Sequence, residues 1–170
     1  SLNIAINALQ SAASGHNFMG INREGQVSII KTEGNPDGHI ILRGGKQPNY
    51  DSVCVADCES LLASHGVKSS LVVDCSHANS AKDYRRQPLV AQNVVNQILE
   101  GNQSIIGIML ESHINPGNQS SNGKKVEELK YGVSITDGCI SWEDTHTLIQ
   151  STRDKLLTVL PLTQQQRELA

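Results

Sequence analysis

Apolar positions follow two kinds of pattern along this chain. Leu2, Ala5, Ile6, Leu9 and Ala12 recur at i, i+3, i+4 spacing, which predicts an amphipathic helix over 2–13, stopped at Ser14-Gly15. Between 17 and 33 the pattern changes. Phe18-Met19-Gly20-Ile21 and Val27-Ser28-Ile29-Ile30 flank the polar Asn22-Arg23-Glu24-Gly25, so two strands around a turn are predicted. Residues 34–38 are a loop by composition. Three short apolar runs follow, at 39–43, 70–75 and 104–111. The segments between them, 51–65 and 82–100, predict helices. Asp51 or Ser52 caps the first, and Pro88 sits in the first turn of the second. A polar loop spans about 112–134, and a last helix is predicted over 142–158. The tail after Pro161 is polar and expected to fray.

The three runs do not alternate between apolar and polar. Continuous Val/Ile/Leu runs predict strands buried on both faces, hence a parallel sheet covered by helices. Their C-terminal ends fall at Arg43, Cys75 and Glu111, 32 and 36 residues apart, the length of a βα unit. The fold class is therefore α/β, and 170 residues suit a single domain.

Composition narrows the partners. A net charge of -3 with 18% charged residues argues against a basic nucleic-acid binder and against a disordered chain. No apolar run approaches the ~20 residues a bilayer span needs, and the chain opens on a predicted helix rather than a leader. A soluble, cytoplasmic protein with no nucleic-acid or membrane partner is expected. One Trp and one Phe require an aliphatic core. Cys54 and Cys58, four apart on a predicted helix, are either half a metal site or, more ordinarily, small apolar residues on a helix face.

In parallel α/β folds the chemistry sits at the C-terminal ends of the strands. Those ends read Leu-Arg-Gly-Gly-Lys (42–46), Asp-Cys-Ser-His-Ala-Asn-Ser (74–80) and Leu-Glu-Ser-His (110–113). The loop before the last helix adds Ser134-Ile135-Thr136-Asp137. His77, Glu111 and Asp137 form a possible metal constellation of a kind suited to Mn, Fe, Co or Zn. Spacing alone leaves this open, because a lone histidine at a strand end is commonly structural. Arg43-Gly44-Gly45-Lys46 offers a phosphate cradle, or merely a strand-end turn. His113 is a candidate to support Glu111 from behind. His16, His39, His65 and His146 carry no spacing signal.

Five stretches together resemble a known family. They are Gly-His-Ile-Ile-Leu-Arg-Gly-Gly-Lys (38–46), Val-Asp-Cys-Ser-His-Ala-Asn-Ser (73–80), Ile-Ile-Gly-Ile-Met-Leu-Glu-Ser-His (105–113), Gly-Asn-Gln-Ser (117–120) and Tyr-Gly-Val-Ser-Ile-Thr-Asp-Gly-Cys-Ile-Ser-Trp-Glu-Asp-Thr (131–145). In this order they resemble the class I DAHP (3-deoxy-7-phosphoheptulonate) synthases, over about residues 2–160. The resemblance implies a (β/α)8 TIM barrel with an inserted hairpin. It implies condensation of phosphoenolpyruvate with erythrose 4-phosphate, the first step of the shikimate pathway to aromatic amino acids. It implies one divalent metal, held by His77, Glu111 and Asp137. Arg43 would bind the phosphoenolpyruvate phosphate, and Asp137 would also contact substrate, so Arg43, His77 and Asp137 are the implied catalytic residues.

The same resemblance sets limits. A TIM barrel takes about 250 residues, and only three barrel strands are read here, the sixth to the eighth. The chain then reads as one partial barrel domain over 1–170, with a hairpin insert at 17–33 and a tail at 161–170. A front half would supply a fourth ligand, a cysteine, and further basic residues. The isolated piece is expected to be inactive and to self-associate through its open sheet edges. In feedback-regulated members the hairpin helps bind an aromatic amino acid. Phe18, Gly20, Ile21 and Val27 are the implied effector residues, and the wording is nearest the tyrosine-sensitive form, with room left by Gly20. A non-catalytic half-barrel and a different aldolase-like enzyme are the other readings.

Overall fold

The computed structural model describes residues 2–160. The expected frayed tail, 161–170, lies outside the described residues. Helix α1 (Leu2–Ala13) buries Ile6 and packs Leu2, Ala5 and Leu9 against the core, as its spacing predicts. Strands β1 (Asn17–Ile21) and β2 (Val27–Lys31) pair antiparallel, with Ile21 opposite Val27. Their turn is held by Asn22, whose Oδ1 accepts from the Glu24 and Gln26 amides, and by Gly25 at φ +79°.

Strands β3 (Ile40–Leu42), β4 (Leu71–Asp74) and β5 (Ile105–Met109) form a parallel sheet in chain order. Helix α2 (Ser52–Ser64) joins β3 to β4, and α3 (Gln87–Leu99) joins β4 to β5. Asp51 is the cap of α2, accepting from the Val53 and Cys54 amides at 3.1 Å each. The predicted helix over 82–100 starts late. A short 3-10 turn occupies Tyr84–Arg86, and α3 begins at Gln87 with Pro88 in its first turn. Helix α4 (Trp142–Leu156), capped by Ser141, closes the described chain. No helix among the described residues is long and apolar enough to cross a membrane.

The core is aliphatic, as one Trp and one Phe require. Ile40, Leu42, Leu71, Val73 and Ile105 from the sheet meet Val55 and Leu62 of α2 and Val90 and Val94 of α3. Burial of both sheet faces is an expectation the structure corrects. Side chains alternate along a strand, and the helices take only the face carrying Ile40 and Leu42. Ile41 is 45% exposed on the other face, as is Met109 at 43%. The runs are continuous because both faces are apolar, not because helices cover both.

All four cysteines are free. Cys58 is fully buried and Cys54 half-buried on α2, the small apolar role rather than half a metal site. Burial pushes the Cys58 thiol up from its ordinary value of 9.0 and the Cys75 thiol to about 12. An unfolded chain releases such protons near pH 9, whereas the folded chain holds them higher. Stability therefore falls as pH rises above about 9. Cys58→Ala should make that fall shallower, measured as denaturation midpoints over about pH 8–11 in both chains. Parallel falls in the two chains would exclude this thiol as the cause.

Candidate metal centre

The site is built at the C-terminal rim of the sheet. Arg43 opens the loop after β3, exposed and without an ion pair among the described residues. Gly44 follows at φ +74°, where a Cβ would stand 2.7 Å from the Ala78 Cβ. Only glycine fits there. Side-chain amides lash this loop to the next. The Gly44 amide donates to Asn49 Oδ1 at 2.7 Å, and the Asn49 amide to Asn79 Oδ1 at 2.8 Å. Asn79, itself buried, donates to the carbonyls of Leu42 and Asp74, at the ends of β3 and β4.

After β4 the chain turns sharply, and His77 sits at φ +49°. Asp74 Oδ1 accepts from the Ser76 amide at 2.8 Å and from the Ser76 hydroxyl at 2.9 Å. Asp74 Oδ2 lies 2.7 Å from His77 Nδ1. The other ring nitrogen, Nε2, lies 3.5 Å from Glu111 Oε1.

Glu111 stands just past β5, and its backbone is gripped from α3. Its amide donates to Gln87 Oε1 at 2.8 Å, and Gln87 Nε2 donates back to its carbonyl at 3.1 Å. The same carbonyl accepts from the Ile140 amide at 3.0 Å, drawing in the last loop. Bridges of Ser112 with Ile140 and Gly117 with Cys139 fold that loop onto the rim and deliver Asp137. Tyr84 supports it, since a Cβ on Gly138 would come within 2.8 Å of its ring.

One ligand atom from each of His77, Glu111 and Asp137 lies within 4.8 Å of the others, the only such group among the described residues. They line a cavity of about 260 Å³ together with Arg43, Lys82 and Tyr84. Two carboxylates and an imidazole are all metal-ligating groups. Like-charged acceptors this close suit a hard or borderline divalent cation. Two wider clefts, about 590 and 700 Å³, open at the opposite end of the sheet beside Ser70 and hold no such group.

The structure thus brings Arg43, His77, Glu111 and Asp137 together. His113 does not support Glu111, because its Nδ1 accepts from the Ile114 amide at 2.9 Å on the exposed surface. The four hairpin residues are divided. Phe18 and Gly20 share one face, while Ile21 and its partner Val27 are exposed on the other. The space Gly20 leaves is taken by the Ile30 side chain. Sequence reasoning missed Asp74, Asn79, Lys82 and Gln87. Their one available signal was position, beside strand ends or at a helix start.

Fold and site define a class: a parallel βα protein with a cation-type ligand set and free basic side chains at its strand ends. Comparison with known proteins makes it particular. A sequence model of the DAHP synthetase I family matches residues 1–150, and the chain belongs to that family. The Tyr-sensitive phospho-2-dehydro-3-deoxyheptonate aldolase of Escherichia coli (strain K12) is 58% identical over 156 residues, 92% of this chain and 44% of that one. The Tyr-sensitive enzyme of Enterobacter agglomerans is 56% identical, over 94% of this chain and 75% of that one. The solved structure of the aldolase from Francisella tularensis SCHU S4 matches with a TM-score of 0.82 at 35% identity, covering 92% of this chain and 45% of that one. The chain thus spans under half the length of the Escherichia coli relative. The family is generally metal-dependent.

Proposed function

We propose that this chain is the C-terminal part of a 3-deoxy-7-phosphoheptulonate synthase, a cytoplasmic transferase of the shikimate pathway. The reaction condenses phosphoenolpyruvate with erythrose 4-phosphate and releases inorganic phosphate. The observation that carries this reading is the close trio His77, Glu111 and Asp137, set beside Arg43 in a chain of this family. A divalent cation there, Mn, Fe, Co or Zn, would polarise the aldehyde as a Lewis acid. Arg43 holds the phosphoenolpyruvate phosphate through charge-assisted bonds, and Lys82 adds a second cation on the same wall. Asp137, the most exposed of the trio, also meets the substrate.

In this reading β3, β4 and β5 are the last three strands of a (β/α)8 barrel, and 1–170 is one partial domain. The half-exposed apolar side chains Ile41 and Met109 support it, because a barrel strand is apolar on its inner face as well. The β1–β2 hairpin is a regulatory insert for tyrosine, with Phe18 and Gly20 on one face and Ile21 and Val27 on the other as its effector residues. The Tyr-sensitive character named for the Escherichia coli and Enterobacter agglomerans relatives supports tyrosine as the effector. The isolated chain self-associates through its sheet edges and does not turn over.

Phosphate release tests this. The 170-residue chain with both substrates and Mn2+ should release none. The full-length parent should release phosphate, be inhibited by tyrosine rather than phenylalanine, and lose affinity for phosphoenolpyruvate on Arg43→Ala. A silent full-length parent would sink the synthase reading. Turnover by the isolated chain would sink the partial-site reading.

A further inference from the structure

We propose that Asp74 is a positioning residue for His77. It keeps the imidazole in the Nδ1–H tautomer and the Nε2 lone pair turned toward Glu111 and Asp137. This deepens the metal reading above and rests on it for its purpose.

Asp74 closes β4 and is 3% exposed. A buried carboxylate is costly unless hydrogen-bonded. Here Oδ1 takes the Ser76 amide and hydroxyl, and His77 Nδ1 stands 2.7 Å from Oδ2. The proton must lie between Nδ1 and Oδ2. Placed on Nε2 instead, it would leave a lone pair of Nδ1 facing a buried carboxylate oxygen at 2.7 Å. The Ser76 hydroxyl also lies 2.7 Å from Nδ1. If it turned there, Oδ1 would lose its hydroxyl donor, and Oδ2 would still face a lone pair. The Nδ1–H arrangement is the one that satisfies all three side chains.

The backbone is fixed to the same end. His77 is left-handed, a conformation uncommon for a residue with a side chain. Its carbonyl accepts from the Lys82 amide at 2.8 Å and from the Ser80 hydroxyl at 3.2 Å. With Nδ1 tied to Asp74 and the carbonyl tied to the following turn, the ring has one direction left for Nε2. A neutral imidazole binds metal through its unprotonated nitrogen, and the bond made by the other nitrogen selects which one that is.

The test uses the whole chain with 15N-labelled histidine in mildly alkaline buffer, with the His77 signals identified by their loss in His77→Gln. Long-range 1H–15N correlation should show the proton on Nδ1. Asp74→Asn keeps the shape but presents an amide donor, so the ring should switch to Nε2–H. Co2+ binding, followed by its visible spectrum, should weaken about 10–100-fold. A ring that keeps Nδ1–H in a folded Asp74→Asn chain overturns the proposal. A native ring protonated on Nε2 overturns it too, whether or not the variant folds. If the native chain binds no Co2+, the metal reading fails, while the tautomer still decides the role of Asp74.

Discussion

Replacing Glu111 by Gln should weaken Mn2+ or Co2+ binding by the chain on the order of 100-fold or more, because even an outer partner of a ligand is worth about 10–100-fold. The substitution removes one charge and one ligand oxygen from a trio held within 4.8 Å. It leaves the backbone clamp by Gln87 intact, so the loop keeps its place. Without metal the sign reverses. With His77 neutral, the Glu111 and Asp137 carboxylates repel, by about 1 kcal/mol at this separation in a water-like medium. Glu111→Gln should therefore raise the melting temperature of the metal-free chain slightly while abolishing the rise that added metal gives the native one. Calorimetric titration and melting curves read the two effects. Equal metal affinity in both chains would mean that the trio is an ordinary acidic patch. A loss of binding together with a loss of apo stability would mean that Glu111 is structural.

Much of this was legible in the sequence. The fold announced itself through local signals: i, i+4 spacing in α1, Asp51 before α2, and Pro88 at the head of α3. The ends of the three apolar runs located the rim, and the residue types there located Arg43, His77 and Glu111. Two things were not legible, for different reasons. The open sheet face was hidden because an apolar run reads the same whether a helix or nothing described covers Ile41. The polar scaffolding was hidden because it is long-range. Gln87 meets Glu111 across 24 residues, and Asn79 meets Leu42 across 37. No window of sequence contains both partners. The split of the hairpin residues was legible in principle, since Phe18 and Gly20 share a parity that Ile21 does not.

Gln87 carries the second large effect. Its side chain is fully buried, yet it is an amide at the start of a helix whose other buried positions are mostly apolar. The reason is the reciprocal pair of bonds to the Glu111 amide and carbonyl, just where β5 has run out of strand partners. Gln87→Leu matches the volume and removes both bonds. The Glu111 amide is left unpaired, at a cost of about 1–3 kcal/mol, while its carbonyl keeps the Ile140 amide, and Leu gains back part of the loss through its apolar surface. The net should be about 1–2 kcal/mol of lost stability, a fall in melting temperature of about 2–8 °C for a chain of this size. Metal affinity should fall as well, because the Glu111 backbone keeps only its bond from Ile140. Gln87→Glu separates the two bonds. It retains the acceptor for the Glu111 amide but sets a carboxylate oxygen against the Glu111 carbonyl and a third negative charge beside the trio. It should therefore be less stable than Gln87→Leu at neutral pH and recover toward it in acid, where the added carboxyl becomes a donor. Thermal melts of the three chains at about pH 7.5 and 4.5 bracket the carboxyl titration and test this. If Gln87→Leu melts with the native chain, the amide is a passenger, and Glu111 is placed by the strand alone.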